Sequence, residues 1–256
     1  MIRRERLLQA AGVLLLGLVW WLATPPRSTL VPPLGSVARD AAGLFRSGAL
    51  TRDALASLGR VAPGVGIALA AAVALTGLGA AVRGLGDLLD GVLELLRPIP
   101  PIAWTPVAIL AFGIGNAPAV AIVCLGAFFP IWLGLQQGLR EVRTQHVLAA
   151  RSFGAGRRLL LTDVVVPSVL PYALHGLRVG LGIGWFCVVA AEMMGAHSGL
   201  GYGIQLFSLN LELGRTYAYL IVVGALGAAM NALMRGAERR WARWHRLAVI
   251  GTSGDE

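Results

Sequence analysis

Long runs of apolar residues, separated by short polar segments, are the main pattern along this chain. A helix needs about 20 apolar residues to cross the roughly 30 Å of hydrocarbon in a bilayer. Five segments reach or approach that length, with Arg178 as the single formal charge within them: 7–24, 61–82, 98–139, 164–191 and 216–234. This pattern predicts membrane-spanning helices.

The third of these runs, 98–139, is too long for one span. Its 42 residues would form a helix of about 63 Å, twice the thickness of the hydrocarbon. The stretch Gly113-Ile-Gly-Asn-Ala-Pro118 supplies turn residues near its middle. We therefore expect spans three and four to form a tight hairpin, which brings the count to about six spans.

The first run follows three arginines and is compatible with a signal peptide. However, it lacks a small-residue cleavage site and ends in Trp20-Trp21, followed by Pro25-Pro26. An aromatic pair is typical of a membrane interface, so we interpret 7–24 as a retained first span.

Composition supports a membrane protein. Only 14% of the 256 residues are charged and 56% are hydrophobic, whereas soluble domains carry about 25% charged residues. The expected fold is an all-α membrane protein with a single domain over 1–256, whose core covers about 55–240.

All 22 basic residues are arginines, and the net charge is +9. A Walker A loop requires a lysine, so this chain cannot hold one. With the amino terminus inside, the cytoplasmic segments contain fifteen arginines and the external segments six. This bias predicts that both termini are cytoplasmic and explains the positive charge without nucleic-acid binding.

No residues stand at the spacing of a metal or catalytic centre. Cys124 and Cys187 lie inside apolar runs, and the four histidines are scattered. The sequence therefore predicts no metal site, no cofactor and no catalytic residue.

Four prolines in nine residues disrupt the start of the third span: Pro98, Pro100, Pro101 and Pro106. Proline removes a backbone donor and clashes with the preceding turn. Broken helices occur at membrane depth where they line a cavity or pack against protein. The segment is equally compatible with a pathway-lining hinge and with a simple helix start.

The fifth span carries a stripe of glycines at Gly176, Gly180 and Gly184. Small residues four apart allow a neighbouring helix to approach closely. Packing within the bundle is at least as good an interpretation as a dimer interface.

Two charges flank this stripe, Arg178 and Glu192. They are about 21 Å apart along a helix and cannot pair with each other. Intramembrane charges usually face a cavity or a partner. For Arg178 a functional role and a structural role are equally good explanations. For Glu192 we favour a structural position at the outer membrane interface.

The segment 140–166 between spans four and five is polar and patterned. Val147, Leu148 and Arg151 predict a short helix that Gly154 ends. A second short helix over 157–166 would run up to Pro167. Such a helix-turn-helix is a candidate docking element for a soluble partner, and a solvated basic loop is the alternative.

This loop resembles the cytoplasmic signature of binding-protein-dependent ABC transporter permeases. That signature has Glu-Ala-Ala, three residues, Gly, nine residues, Ile, one residue and Leu-Pro. Ala149, Ala150, Gly154 and Pro167 match in register, and Leu148 stands where the family has glutamate. Eight further blocks in order resemble the nitrate/sulfonate/taurine branch, including Gly126-Ala-Phe-Phe-Pro130 and Ser198-Gly-Leu-Gly-Tyr202.

The resemblance implies a type I importer permease (MetI-like) fold in the inner (plasma) membrane. It implies a permease homodimer, two cytoplasmic ATP-binding cassette subunits that hydrolyse ATP, and an external solute-binding protein. The loop would couple to the ATPase through Leu148, Ala149, Ala150, Arg151, Gly154 and Pro167. The implied solute is nitrate, a sulfonate, taurine or a related compound. A stand-alone secondary transporter or channel is the alternative, but the inverted repeat common in such folds is not visible.

Overall fold

The computed structural model describes residues 31–241, together with residues 12, 15, 17–20, 22 and 24. Most of the predicted first span therefore lies outside the described residues, as does the end of the chain. In the described part the helices are α1 (Leu34–Arg46), α2 (Ala49–Ala81), α3 (Leu85–Leu96), α4 (Thr105–Phe112), α5 (Asn116–Arg140), α6 (Thr144–Ser152), α7 (Arg157–Gly195), α8 (Leu200–Leu209) and α9 (Leu213–Trp241).

Four of these helices are long and apolar enough to cross a membrane: α2, α5, α7 and α9. They coincide with the predicted second, fourth, fifth and sixth spans, which are thereby confirmed as helices. Two of the six arginines counted in the external segments, Arg52 and Arg60, lie within α2. The α2 helix begins twelve residues before its uncharged run. These additional residues can belong to the helix because some of their polar side chains are buried among other helices.

The predicted third span corresponds to the second half of a bent pair of helices, which is broken at the prolines as the sequence predicts. α3 is followed by a 3₁₀ turn at Pro101–Trp104 and by α4, and the two halves are bent by 85°. The twelve residues of Pro101–Phe112 cover only about 18–24 Å, too little to cross the hydrocarbon. Because Pro98, Pro100 and Pro101 cannot donate helical hydrogen bonds, the bend falls at these prolines. The turn into α5 is where it was predicted, at Gly113 (φ 76°).

α5 is the centre of the bundle and packs against α7 and α2. The glycine stripe makes this possible. A Cβ atom at Gly176 would lie 2.6 Å from the carbonyl oxygen of Pro130, and one at Gly180 would lie 2.8 Å from that of Ala127. The stripe therefore lies against α5 of the same chain, which agrees with packing within the bundle.

α7 is one continuous helix of 39 residues, and the predicted separate helix ending before Pro167 is wrong. A π turn at Leu160–Val165 precedes the regular helix that begins at Val166. The wider π turn accommodates Pro167, whose ring would clash with a carbonyl group in a regular helix. The hydroxyl of Ser168 donates to the carbonyl of Val164 at 2.7 Å in this region.

Candidate functional site

The first candidate element is the loop helix, which comprises α6 and its carboxyl-terminal turn, residues 144–156. None of the residues in α6 is buried. Gly154 has φ 81° and donates to the carbonyl of Arg151 at 2.9 Å, and Ala155 donates to that of Ala150 at 3.0 Å. This is a Schellman motif, in which glycine readily adopts the left-handed conformation. The predicted helix end at Gly154 is therefore confirmed.

The Schellman turn presents apolar side chains away from the bundle. Phe153 is 92% exposed and Leu148 is 57% exposed. Ala149 and Arg151 are exposed as well, whereas Pro167 is half-buried within α7. The two exposed side chains place apolar area on an otherwise polar helix. The loop helix also packs on the π turn of α7.

A second element lies near the carboxyl end of α7, and we call it the polar network. Its members are Asp53, Ser57, Arg60, Asn116, Glu192, Ser198 and Tyr219. At its centre Arg60 Nη1 donates to Glu192 Oε1 at 2.5 Å. The two side chains are 5% and 0% exposed. The guanidinium also donates to Asn116 Oδ1 and to the carbonyl and hydroxyl oxygens of Ser198, each at 2.8 Å.

The network also supplies hydrogen-bond acceptors to the backbone N–H groups at the start of α8, which lack helical partners. Gly199 N donates to Asp53 Oδ1 at 3.2 Å, Leu200 N to Ser57 Oγ at 2.9 Å, and Gly201 N to Glu192 Oε2 at 2.9 Å. The carboxylates also complement the positive end of the α8 dipole. The network therefore joins α2, α7 and α8 at one end of the bundle.

Glu192 is 1% exposed and paired with Arg60, and its depth at the outer membrane interface stays a prediction. Sequence reasoning missed Asp53, Ser57 and Arg60. A usable signal was present, since positions 53, 57 and 60 follow the i, i+4, i+7 spacing of one helical face. These polar residues stand directly before an apolar run, so hydrophobic length alone does not include them in the span.

A third element is a groove between α7 and α9 that contains Arg178. Arg178 Nε lies 3.1 Å from Glu238 Oε1 on α9, and Nη2 lies 3.2 Å from His175 Nδ1. The structure thus pairs Arg178 with a different helix and leaves it far from Glu192.

Pro98 and Pro100 are exposed at the bend after α3, Pro101 starts the 3₁₀ turn, and Pro106 lies in the first turn of α4.

Residues 64–243 match the family described as "Binding-protein-dependent transport system inner membrane component". A protein of Methanocaldococcus jannaschii named as an ABC transporter permease is 37% identical over 206 residues, which are 80% of this chain and 77% of that protein. The taurine transport system permease protein TauC of Escherichia coli is 35% identical over 77% of this chain and 68% of its own length.

A solved structure has the same fold. The chain resembles one from the methionine ABC transporter MetNI in an inward-facing conformation, with a TM-score of 0.67. The similarity covers 77% of this chain and 97% of the other, at 18% identity. At that identity the likeness concerns the fold alone.

Proposed function

Because the chain belongs to the family of binding-protein-dependent transport system inner membrane components, we propose that it forms the path by which an ABC importer moves a small oxyanion, such as a sulfonate, taurine or nitrate. It is a multi-pass inner-membrane permease subunit and not an enzyme, since members of this family leave ATP hydrolysis to a separate subunit. In our proposal two copies enclose the path, an external binding protein delivers the solute, and two cytoplasmic ATPases drive the cycle.

The exposed loop helix is the observation that supports coupling to an ATPase. It presents Phe153 and Leu148 on an otherwise polar surface. Its place in the sequence is that of the family signature, with Ala149, Ala150 and Gly154 in register. We expect the ATPase to cover this surface and to move it as the nucleotide sites close.

The continuity of α7 suggests how that movement spreads. The loop helix packs on the π turn of α7, and α7 extends about 50 Å from there to its other end. That end holds Glu192, which the polar network joins to α2 and α8. A displacement of the loop helix would therefore shift α7, and the network would carry α2 and α8 with it.

The turn at Gly154 provides a direct test. Gly154→Val places a β-branched residue at φ 81°, which such residues strongly disfavour. No atom lies within 4 Å of a Cβ at this position, so the variant affects the turn and not the packing. Gly156→Val is the matched control, because Gly156 has an ordinary φ of −73° and equally open surroundings.

We expect Gly154→Val to reduce co-purification of the ATPase and ATP-driven uptake, while Gly156→Val retains both. The assay is reconstitution of the permease with its ATPase and binding protein in liposomes. If Gly154→Val docked the ATPase and imported solute like the wild type, the coupling role of the loop would be refuted. Uptake by the permease alone, without ATP, would instead favour a stand-alone transporter.

The solute is tested in the same liposomes. We expect ATP-dependent uptake of at least one of labelled taurine, ethanesulfonate and nitrate when the cognate binding protein is supplied. Methionine is the control solute. Uptake of methionine, with none of the three anions, would contradict the proposed solute class and leave the permease function intact.

A further inference from the structure

The groove between α7 and α9 has the size of a small-molecule site. Its volume is about 490 Å³, within the range of roughly 300–1,000 Å³ that is typical of ligand sites. Two glycines help to create the space. A Cβ at Gly182 would meet no atom within 4 Å, whereas one at Gly227 would lie 3.0 Å from the indole of Trp185. The remaining lining residues are Arg178, Val179, Leu181, Met230 and Asn231.

The groove combines an apolar wall with a cation, whose partner Glu238 lies just after the apolar run 216–234 of α9. Arg178 lies about 21 Å along α7 from Glu192, within the apolar part of the span. Its side chain is 26% exposed, and Asn231 adds an exposed amide on the facing helix. A charge within a spanning helix is costly and usually faces a cavity or a partner.

The ion pair between Arg178 and Glu238 does not occupy all the N–H donors of the guanidinium. Glu238 Oε1 is buried and close to Arg178 Nε, yet it accepts no hydrogen bond from any residue that the structure describes. Among the residues that the structure describes, Arg178 contacts Glu238 through Nε and His175 through Nη2. A planar guanidinium binds an oxyanion through two parallel hydrogen bonds. The loose pairing with Glu238 therefore leaves donors free for a second anion.

We propose that this groove is an oxyanion site on the path of the transported solute, with Arg178 as its anion-binding residue and Asn231 as a second polar contact. This inference rests on the proposed function for the identity of the anion. Glu238 holds Arg178 while the site is empty and is displaced from it when a sulfonate or nitrate group binds. The exchange keeps the guanidinium paired throughout, which avoids an isolated charge in the membrane.

Occupancy can be measured without transport. Gly182→Cys, with Cys124 and Cys187 replaced by alanine, places a thiol in the groove of the reconstituted complex. In phosphatidylcholine nanodiscs we expect taurine, ethanesulfonate or nitrate to slow its reaction with maleimide by about fivefold or more, as an occupied site excludes the reagent. Gly224→Cys on α9, also in open surroundings, is the matched control and should show no such protection.

A charge swap distinguishes solute binding from a structural ion pair. Arg178→Met should lower uptake at saturating binding protein by about tenfold or more, the effect expected from loss of a charge-assisted hydrogen bond. The double variant Arg178→Glu with Glu238→Arg restores the pair but moves the cation, and we expect it not to restore uptake. Full restoration would make the pair structural and overturn the proposal.

The outcomes separate the two hypotheses. Protection of Gly182→Cys without ATP-dependent uptake would support the site and refute the importer cycle. Uptake by the wild type without protection would refute the site and leave the importer standing. Protection that requires phosphatidylglycerol in the disc, and that added solutes do not change, would identify a lipid headgroup as the occupant and overturn the solute site.

Discussion

The buried pair of Arg60 and Glu192 allows a quantitative prediction. Glu192→Gln keeps the shape of the side chain and removes the charge that faces Arg60. The guanidinium is then left in a site where its side chain is only 5% exposed. Removing one partner of a buried ion pair costs about 3–5 kcal/mol.

We expect the lower end of this range, about 3 kcal/mol, because polar groups of helices that separate within a membrane find other partners. Arg60 also retains Asn116 and Ser198 in the variant, so its remaining donors stay satisfied. For a protein of this size, 1 kcal/mol corresponds to about 2–4 °C in Tm. Glu192→Gln should therefore lower the melting temperature by roughly 6–12 °C.

The measurement is thermal unfolding of the purified protein in detergent, followed by loss of the monodisperse species. Glu212→Gln is the matched control. Glu212 pairs with Arg215 at 2.7 Å, but those side chains are 38% and 47% exposed, and such pairs are worth about 0–1 kcal/mol. If Glu192→Gln melted within 2 °C of the wild type, the pair would contribute no net stability and our account of the polar network would be wrong.

Three further predictions follow from single contacts. Gly176→Ala should destabilise the protein by about 1–3 kcal/mol, measured by thermal unfolding, because its Cβ would lie 2.6 Å from the Pro130 carbonyl oxygen; Gly224→Ala, in open surroundings, should not. Tyr219→Phe should cost about 1–3 kcal/mol in the same assay, since the buried carboxylate of Asp53 loses a hydrogen bond of 2.7 Å; an unchanged Tm would contradict this. Phe153→Ala should weaken binding of the ATPase about tenfold or more, measured by biolayer interferometry, whereas Ser152→Ala should leave it unchanged. Equal affinities for these two variants would remove Phe153 from the docking surface.

The loop helix shows how far local sequence can go. Its end at Gly154 was predictable because a helix end depends on a residue that tolerates positive φ and on backbone bonds within one turn. The join between the loop and α7 was not predictable in the same way. Proline at 167 normally ends a helix, and only the π turn before it allows α7 to continue.

The bent third element shows a similar limit. The prolines predicted a break in the helix, yet the hydrophobic length suggested a complete span. The length of an apolar run gives the number of apolar residues but not the direction of the helix axis. It therefore could not reveal the bend of 85° between α3 and the segment Pro101–Phe112.

A helical, membrane-embedded chain was predictable from the sequence, because burial in lipid requires long apolar runs and satisfied backbone groups. The position of the loop signature was predictable as well, because the signature is contiguous. Tertiary structure alone decided which polar residues meet. Arg60 and Glu192 are 132 positions apart, and neither side chain carries a local signal of the other. Their partnership depends on α5 bringing α2 and α7 together, and a contact of that kind depends on packing and not on any single segment.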